Sequence, residues 1–249
     1  MSLGLGVNLS KLSNETWSPN KLSSLMHWFR FRTDITTSAE TSDITAWRSQ
    51  NIRRDTAPTN IWARGDGEES TSPNLESNGT IKWHAGANVM PFYDAKVEGT
   101  AATLVLGAYS IYFKLNWDAS DTIGSNEDLI ESDGNNFFKL TGDDTCRFKI
   151  GGNRHDFTHG SAIVEGTPFV IGAERTSAGA MSVYLNNVAS TPDGGEGSEA
   201  ISTPLRLTQF GTPTQTSYWY EVVICNDALS STDRDNLYNY LNNVGEDYQ

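Results

Sequence analysis

Apolar and polar residues alternate with a period of two along most of this chain, and the period changes to a helical one near its end. In the stretch 102–118, Ile111, Phe113 and Leu115 fall on one face and Tyr112 and Lys114 on the other. That is the pattern of a strand with one face turned to a core. It recurs at Cys146, Phe148 and Ile150, at Phe169, Ile171 and Ala173, and at Met181, Val183 and Leu185. Turn residues separate these runs: Asp133-Gly134, Gly151-Gly152 and Gly179, placed as hairpin connections require. Shorter strands are expected near 44–47, at Ile61 and Trp62, at 80–85, at 89–93 despite Pro91, and in 205–211. Leu22, Leu25, Trp28, Phe29 and Phe31 open the globular part.

The stretch 218–245 carries the change of period. Its first part reads as a buried strand, with Tyr220, Val222 and Ile224 on one face and Trp219, Glu221, Val223 and Cys225 on the other. Asn226-Asp227 marks a turn, and Ser230 precedes Asp233 by three residues, a capping-box-like helix start. Leu237, Tyr240, Leu241 and Val244 then share one helical face, and Gly245 supplies the stop. Ten or more strands, no βαβ alternation and one terminal helix predict an all-β fold. Two antiparallel sheets pack face to face as a jelly-roll sandwich, with the helix laid against them. The expected division is an extended N-terminal arm, 1–24, and a sandwich domain, 25–249. The arm holds Leu3, Leu5, Val7, Leu9, Leu12 and Trp17 in neither period. Alone it buries too little to offset its ordering entropy. It is more apolar than a solvated tail needs, so it should lie on a surface, another protein's or its own domain's.

Charge narrows the partners. The net charge is −13, which disfavours nucleic acid. Its distribution is uneven: residues 1–64 hold eight Lys and Arg against five Asp and Glu, and six of the eleven arginines fall between Arg30 and Arg64. The front is therefore mildly basic on an acidic body, and Arg53 and Arg54 are expected rim contacts for an acidic partner. No apolar run approaches the roughly 20 residues of a membrane span. The first residues lack a basic segment followed by an apolar one, so no secretory signal is expected. Cys146 and Cys225 sit in strand-like segments and are expected as buried thiols, not a disulfide.

Candidate chemistry is sparse. Glycoside hydrolysis needs two carboxylates flanking the bond. Glu127 and Glu131 are the nearest match, and on a regular strand they would share a face while Asp128 turns away. Asp118, Asp121, Asp133, Asn135, Asp143 and Asp144 lie in neighbouring loops, where calcium is the ion such oxygens could take; acidic turn residues need no metal to explain them, and no cofactor is expected. His155 and His159 read as incidental histidines of a loop or hairpin. Trp62, Trp117, Tyr218 and Trp219 are the aromatic candidates for sugar stacking. Trp117 is the favoured glycan contact, because Asn116-Trp117-Asp118 ends a strand and opens a polar loop.

The order of these segments resembles the concanavalin A-like lectin/glucanase superfamily of laminin-G type. The resemblance rests on the Trp28-Phe29 pair, on DITAW at 43–47, and on the hairpin ending Tyr184-Leu185-Asn186-Asn187. It rests also on the run from Asn226 to Asp233 before the helix. Together with the opening MSLGLGVNLSKLS, the chain looks like virion structural proteins of tailed bacteriophages. The resemblance implies a non-enzymatic decoration protein of the virion. It would attach to capsid or tail proteins through the arm and one sandwich face, in multiple copies. The alternative is a carbohydrate-binding, lectin-like module recognising host surface glycans, and a glycan hydrolase is the least favoured reading.

Overall fold

The computed structural model describes residues 17–39, 41–50, 61–65, 72–84, 87–94, 100–193, 203–211 and 213–245. The strands, in chain order, begin with β1 (Leu25–Phe29), β2 (Ile35–Thr37), β3 (Ile44–Arg48), β4 (Ile61–Ala63), β5 (Asn74–Leu75), β6 (Ile81–Trp83) and β7 (Met90–Asp94). Next come β8 (Leu104–Leu106), β9 (Tyr109–Trp117), β10 (Glu127–Asp133), β11 (Asn136–Leu140), β12 (Thr145–Ile150), β13 (Asn153–Thr158) and β14 (Phe169–Arg175). The last are β15 (Met181–Leu185), β16 (Val188–Ala189), β17 (Thr191–Pro192), β18 (Leu205–Leu207), β19 (Gln209–Phe210) and β20 (Ser217–Cys225), followed by helix α1 (Ser231–Asn243).

All described pairings are antiparallel. One sheet runs β16-β15-β14-β9-β20-β6-β5, with β1 also paired to β20. The other runs β17-β13-β12-β11-β10-β19-β7-β4-β3-β2, and β8 with β18 forms a two-stranded ribbon. The architecture is the expected antiparallel sandwich with one C-terminal helix. Its tight turns use the expected residues. Asn186 and Asn187 (φ 48° and 65°) join β15 to β16, and Gly151 and Gly152 (φ 55° and 92°) join β12 to β13. Positive φ at both central residues matches the twist of a two-residue hairpin.

The sheets meet through aromatic side chains: Phe113 against Phe138 with ring centres 6.2 Å apart, Tyr109 against Phe148 at 6.1 Å, and Phe210 against Trp219 at 5.6 Å. A second, smaller core lies on the opposite face of the first sheet. There Tyr112, Val170, Val223 and Cys225 pack with Leu22, Leu25 and Trp28 and with Leu237 and Leu241 of α1. The central strands β9, β14 and β20 are thus covered on both faces.

Regular alternation in β20 fails at one residue. Trp219 pairs with Leu115 and Glu221 with Lys114, so Tyr220 is a bulge. The extra residue shifts the phase. Trp219 therefore joins Val222 and Ile224 in the main core, while Glu221 and Val223 face the helix side. Tyr220 leaves the Val222–Ile224 set and stacks on Phe31 with ring centres 5.7 Å apart.

Helix α1 begins as expected: the Ser230 side chain accepts from the Asp233 amide at 3.1 Å. Its far end is capped by the sheet, where the Lys114 ammonium donates to the carbonyls of Asn242 at 2.6 Å and Val244 at 2.7 Å. Arg234 pins the first turn, pairing with Glu174 at 3.1 Å and lying 4.2 Å from the Tyr184 ring centre. The described part of the arm turns onto this same region. Leu22 is buried in the second core and Trp17 packs against its edge.

Candidate functional site

The cleft of interest forms where three segments meet: the arm at Trp17, the chain leaving β1, and the exposed side of α1. Its volume is about 610 Å³. The helix sequence explains one wall. Asn236, Asn239, Tyr240 and Asn243 follow at spacings of three, four and seven, one stripe beside the buried Leu237 and Leu241. Asn243 donates its side-chain amide to the Asn239 carbonyl at 2.7 Å and so supports the last turn. Asparagine is otherwise a poor helix former, so helix stability does not explain Asn236 and Asn239. Each amide offers a donor pair and an acceptor.

The opposite wall is aromatic and cationic. Trp17 and Tyr240 have ring centres 6.0 Å apart, and Trp28 meets Tyr240 edge-on at 6.0 Å. The Arg30 guanidinium lies 5.1 Å from the Trp28 ring centre, and that of Arg32 5.3 Å from the Phe31 ring centre. Arg32 is anchored further by its Nε, which donates to the Asn78 carbonyl at 2.8 Å.

Glu221 closes the floor. It accepts from the Trp28 indole N–H and from the Phe31 amide at 3.2 Å, and the Tyr240 hydroxyl bonds to it as well. It is 1% exposed. Burial raises its pKa from 4.5 to about 7, against the lowering effect of those bonds and of Arg30. The bulge at Tyr220 is what turns this carboxylate toward the helix side.

The residues singled out from sequence fare differently. Trp117 is 0% exposed and part of the main core, so it cannot stack on a glycan; its position in β9 puts it on the same inward face as Leu115. Trp219 is likewise buried. Tyr218 is half-buried, its hydroxyl donating to Asp118 at 3.0 Å. The Trp62 side chain, Leu3, Leu5, Val7, Leu9, Leu12, Arg53 and Arg54 lie outside the described residues.

Glu127 and Glu131 do not share a face. The β10–β11 register jumps between Asp128 and Ile130, a bulge that buries Leu129 and Ile130 together. Glu127 points inward, 0% exposed, and clamps a loop by accepting from the amides of Gly124, Thr214 and Gln215 and from the Thr214 hydroxyl, at 2.6–3.2 Å. Glu131 instead receives the Gln209 side-chain amide at 2.8 Å. The expected carboxylate pair is thereby undone.

The loop carboxylates act locally. Asp118 accepts from the Ser120 amide and hydroxyl, Asp121 from the Thr216 amide, and Asp133 from the Asn135 amide. Among the described residues no three His, Cys, Asp or Glu side chains converge as a metal site. His155 is buried within β13 and His159 just beyond its end, where it meets the Ser190 hydroxyl at 2.7 Å. Cys146 and Cys225 are free thiols, both buried. Sequence reasoning passed over Arg30, Asn239, Tyr240 and Asn243. The density of asparagine in NLYNYLNN was the available sign.

Fold and cleft together define a two-sheet antiparallel sandwich with a concavity of rings, amides and a guanidinium. No family model matches the sequence, and no curated protein matches it. Solved structures share the fold. The botulinum neurotoxin serotype D/C binding domain aligns with a TM-score of 0.55 at 14% identity, covering 90% of this chain and 53% of that one. A botulinum neurotoxin type C structure aligns at 0.52 and 13%, covering 88% and 51%; that toxin's route into cells is dependent upon interaction with two ganglioside molecules. A Trypanosoma rangeli sialidase in complex with sialic acid aligns at 0.50 and 15%, covering 90% and 34%. The chain therefore spans about half of the toxin structures and a third of the sialidase.

Proposed function

We propose that this chain is a non-enzymatic glycan-binding module, and that the cleft between Trp17, Arg30 and the asparagine stripe of α1 is its binding site. The observation that carries this reading is the juxtaposition of the Trp17 and Tyr240 rings with Asn236, Asn239 and Asn243 around one open concavity. An aromatic face can pack on the apolar side of a sugar ring, while amides meet its hydroxyls. Structural neighbours that engage gangliosides or sialic acid support the reading. The separation of Glu127 from Glu131 removes the motive for hydrolysis.

Attachment to a virion through Leu3, Leu5, Val7, Leu9 and Leu12 rests on sequence resemblance alone, and none of the structures named above is a virion protein. Trp17, assigned there as an arm anchor, belongs in the glycan reading to the cleft.

The test is a broad glycan array followed by titration of the best binder. Trp17→Ala should weaken binding by about 2 kcal/mol, as loss of a central aromatic contact does. Asn239→Ala should weaken it less, by about 1 kcal/mol for a lost hydrogen bond. Unchanged thermal unfolding would show that both variants fold. Binding that is indifferent to both substitutions removes this site, and a blank array removes the reading.

A further inference from the structure

Three features of the described residues bear on what the protein could bind. The polar depression on the outer face of β11–β13 is lined by Lys139, Arg147, Asp156 and Asp193. Its charges already neutralise one another: Arg147 pairs with Asp156 at 2.7 Å, and Arg154 joins the same carboxylate. The buried His27 has its Nδ1 3.3 Å from the Ser49 hydroxyl and lines neither that depression nor the cleft beside α1. The cleft beside α1 is different: two guanidiniums, Arg30 and Arg32, face one carboxylate, Glu221, which is buried in the floor.

We propose that the ligand of this cleft is an acidic sugar, carrying a carboxylate or a sulfate that pairs with the Arg30 guanidinium. This deepens the glycan reading and rests on it. The ionisable side chains lining the cleft are Arg30, Arg32, Glu221 and Tyr240. Glu221 is turned into the floor and occupied by the Trp28 indole, the Phe31 amide and the Tyr240 hydroxyl. What a ligand meets at the mouth is therefore positive, on a protein whose net charge is −13. Arg30 is exposed, lies over the Trp28 ring and donates to the Tyr240 hydroxyl, so its planar fork is partly held before any ligand arrives. A second feature removes a repulsion. The last turn of α1 borders the cleft, and its carbonyl end would repel an anion. Lys114 donates to the Asn242 and Val244 carbonyls from the sheet side, which supplies a compensating positive charge. A fork beside amides and rings suits an acid group on a hydroxyl-bearing ring better than a neutral sugar.

Matched pairs test the charge apart from the sugar. Methyl glucuronide would be titrated against methyl glucoside, galacturonic acid against galactose, and 6-sulfated against unsulfated N-acetylglucosamine. Each is followed by NMR at low and high salt on the intact chain. The acidic member should bind about tenfold tighter, as charge-assisted hydrogen bonds outweigh neutral ones. That advantage should shrink with added salt. Arg30→Gln should abolish it, and Arg30→Lys should keep part of it. A larger gain for the uronic acids identifies a carboxylate, and a larger gain for the sulfated sugar identifies a sulfate. If neutral partners bind as tightly, or the preference survives Arg30→Gln, the charge assignment is overturned while the glycan site stands. If no sugar of either kind binds, both fall. The salt dependence of the unmodified protein decides the matter even if the Arg30 variants are unstable.

Discussion

At the scale of single residues, burial decides which titrating groups matter. Glu221 illustrates the sign. Its folded pKa of about 7 lies above its ordinary 4.5, so between those values the folded chain holds a proton that the unfolded chain has lost. Stability contributed at this site therefore falls as pH rises from about 4.5 to 7, by on the order of 3 kcal/mol, and is level above that. His27 and His159 act in the opposite sense. Burial lowers them to about 3 and about 4, so the stability they contribute is lost as pH falls below 6.5. The difference between the wild type and Glu221→Gln isolates the carboxyl. Urea unfolding from pH 4.5 to 8 should show the variant gaining on the wild type across that window. A constant difference at every pH would contradict the assignment. The thiols follow the same logic: burial pushes Cys225 up to about 12, and both cysteines should resist alkylation until the chain unfolds.

Elements show how far local rules carry. Helix α1 was legible in detail: its cap at Ser230, its buried Leu237 and Leu241, and its stop at Gly245 with φ 85°. Its four asparagines cost it roughly 2 kcal/mol against alanine, so docking on the sheet must hold it. Leu237→Ala should accordingly lose about 2–5 kcal/mol and disturb the cleft, whereas Ser230→Ala should lose about 1 kcal/mol and leave sugar binding intact. Denaturant unfolding read beside a binding titration separates the two. The strands were legible as strands but not in their phase. One extra residue in β10 parts Glu127 from Glu131, and one in β20 moves Trp219 from the face of Glu221 to the main core. A bulge leaves no composition signature, because it depends on what the partner strand can pair with.

Over the whole molecule, two cores share the central sheet, one between the sheets and one beneath the helix. The second core recruits Leu22 and packs Trp17 at its edge, so these two side chains contribute to the stability of the body. A chain beginning at Trp17 should fold with the same near-ultraviolet circular dichroism as the full chain and keep its sugar affinity. One beginning at Leu25 should lose affinity and some stability. Equal behaviour of the two truncations would place the binding site elsewhere. Particle incorporation of the chain lacking residues 1–16, measured in parallel, addresses virion attachment separately.

The sequence by itself determined the class of fold, most strands, the hairpin turns and the helix with its caps. Each follows from the period of apolar residues or from backbone preferences within a few positions. Only the tertiary structure assembled the candidate site. Trp117 looked exposed at a strand end and is fully covered, and the residues of the cleft are drawn from positions 17, 30–33, 221 and 236–245. Convergence of distant segments depends on register, bulges and sheet-to-helix packing, which are long-range outcomes that no local pattern encodes. The amide stripe of α1 was written in the chain, but its meaning came from Arg30 and Trp17 standing opposite.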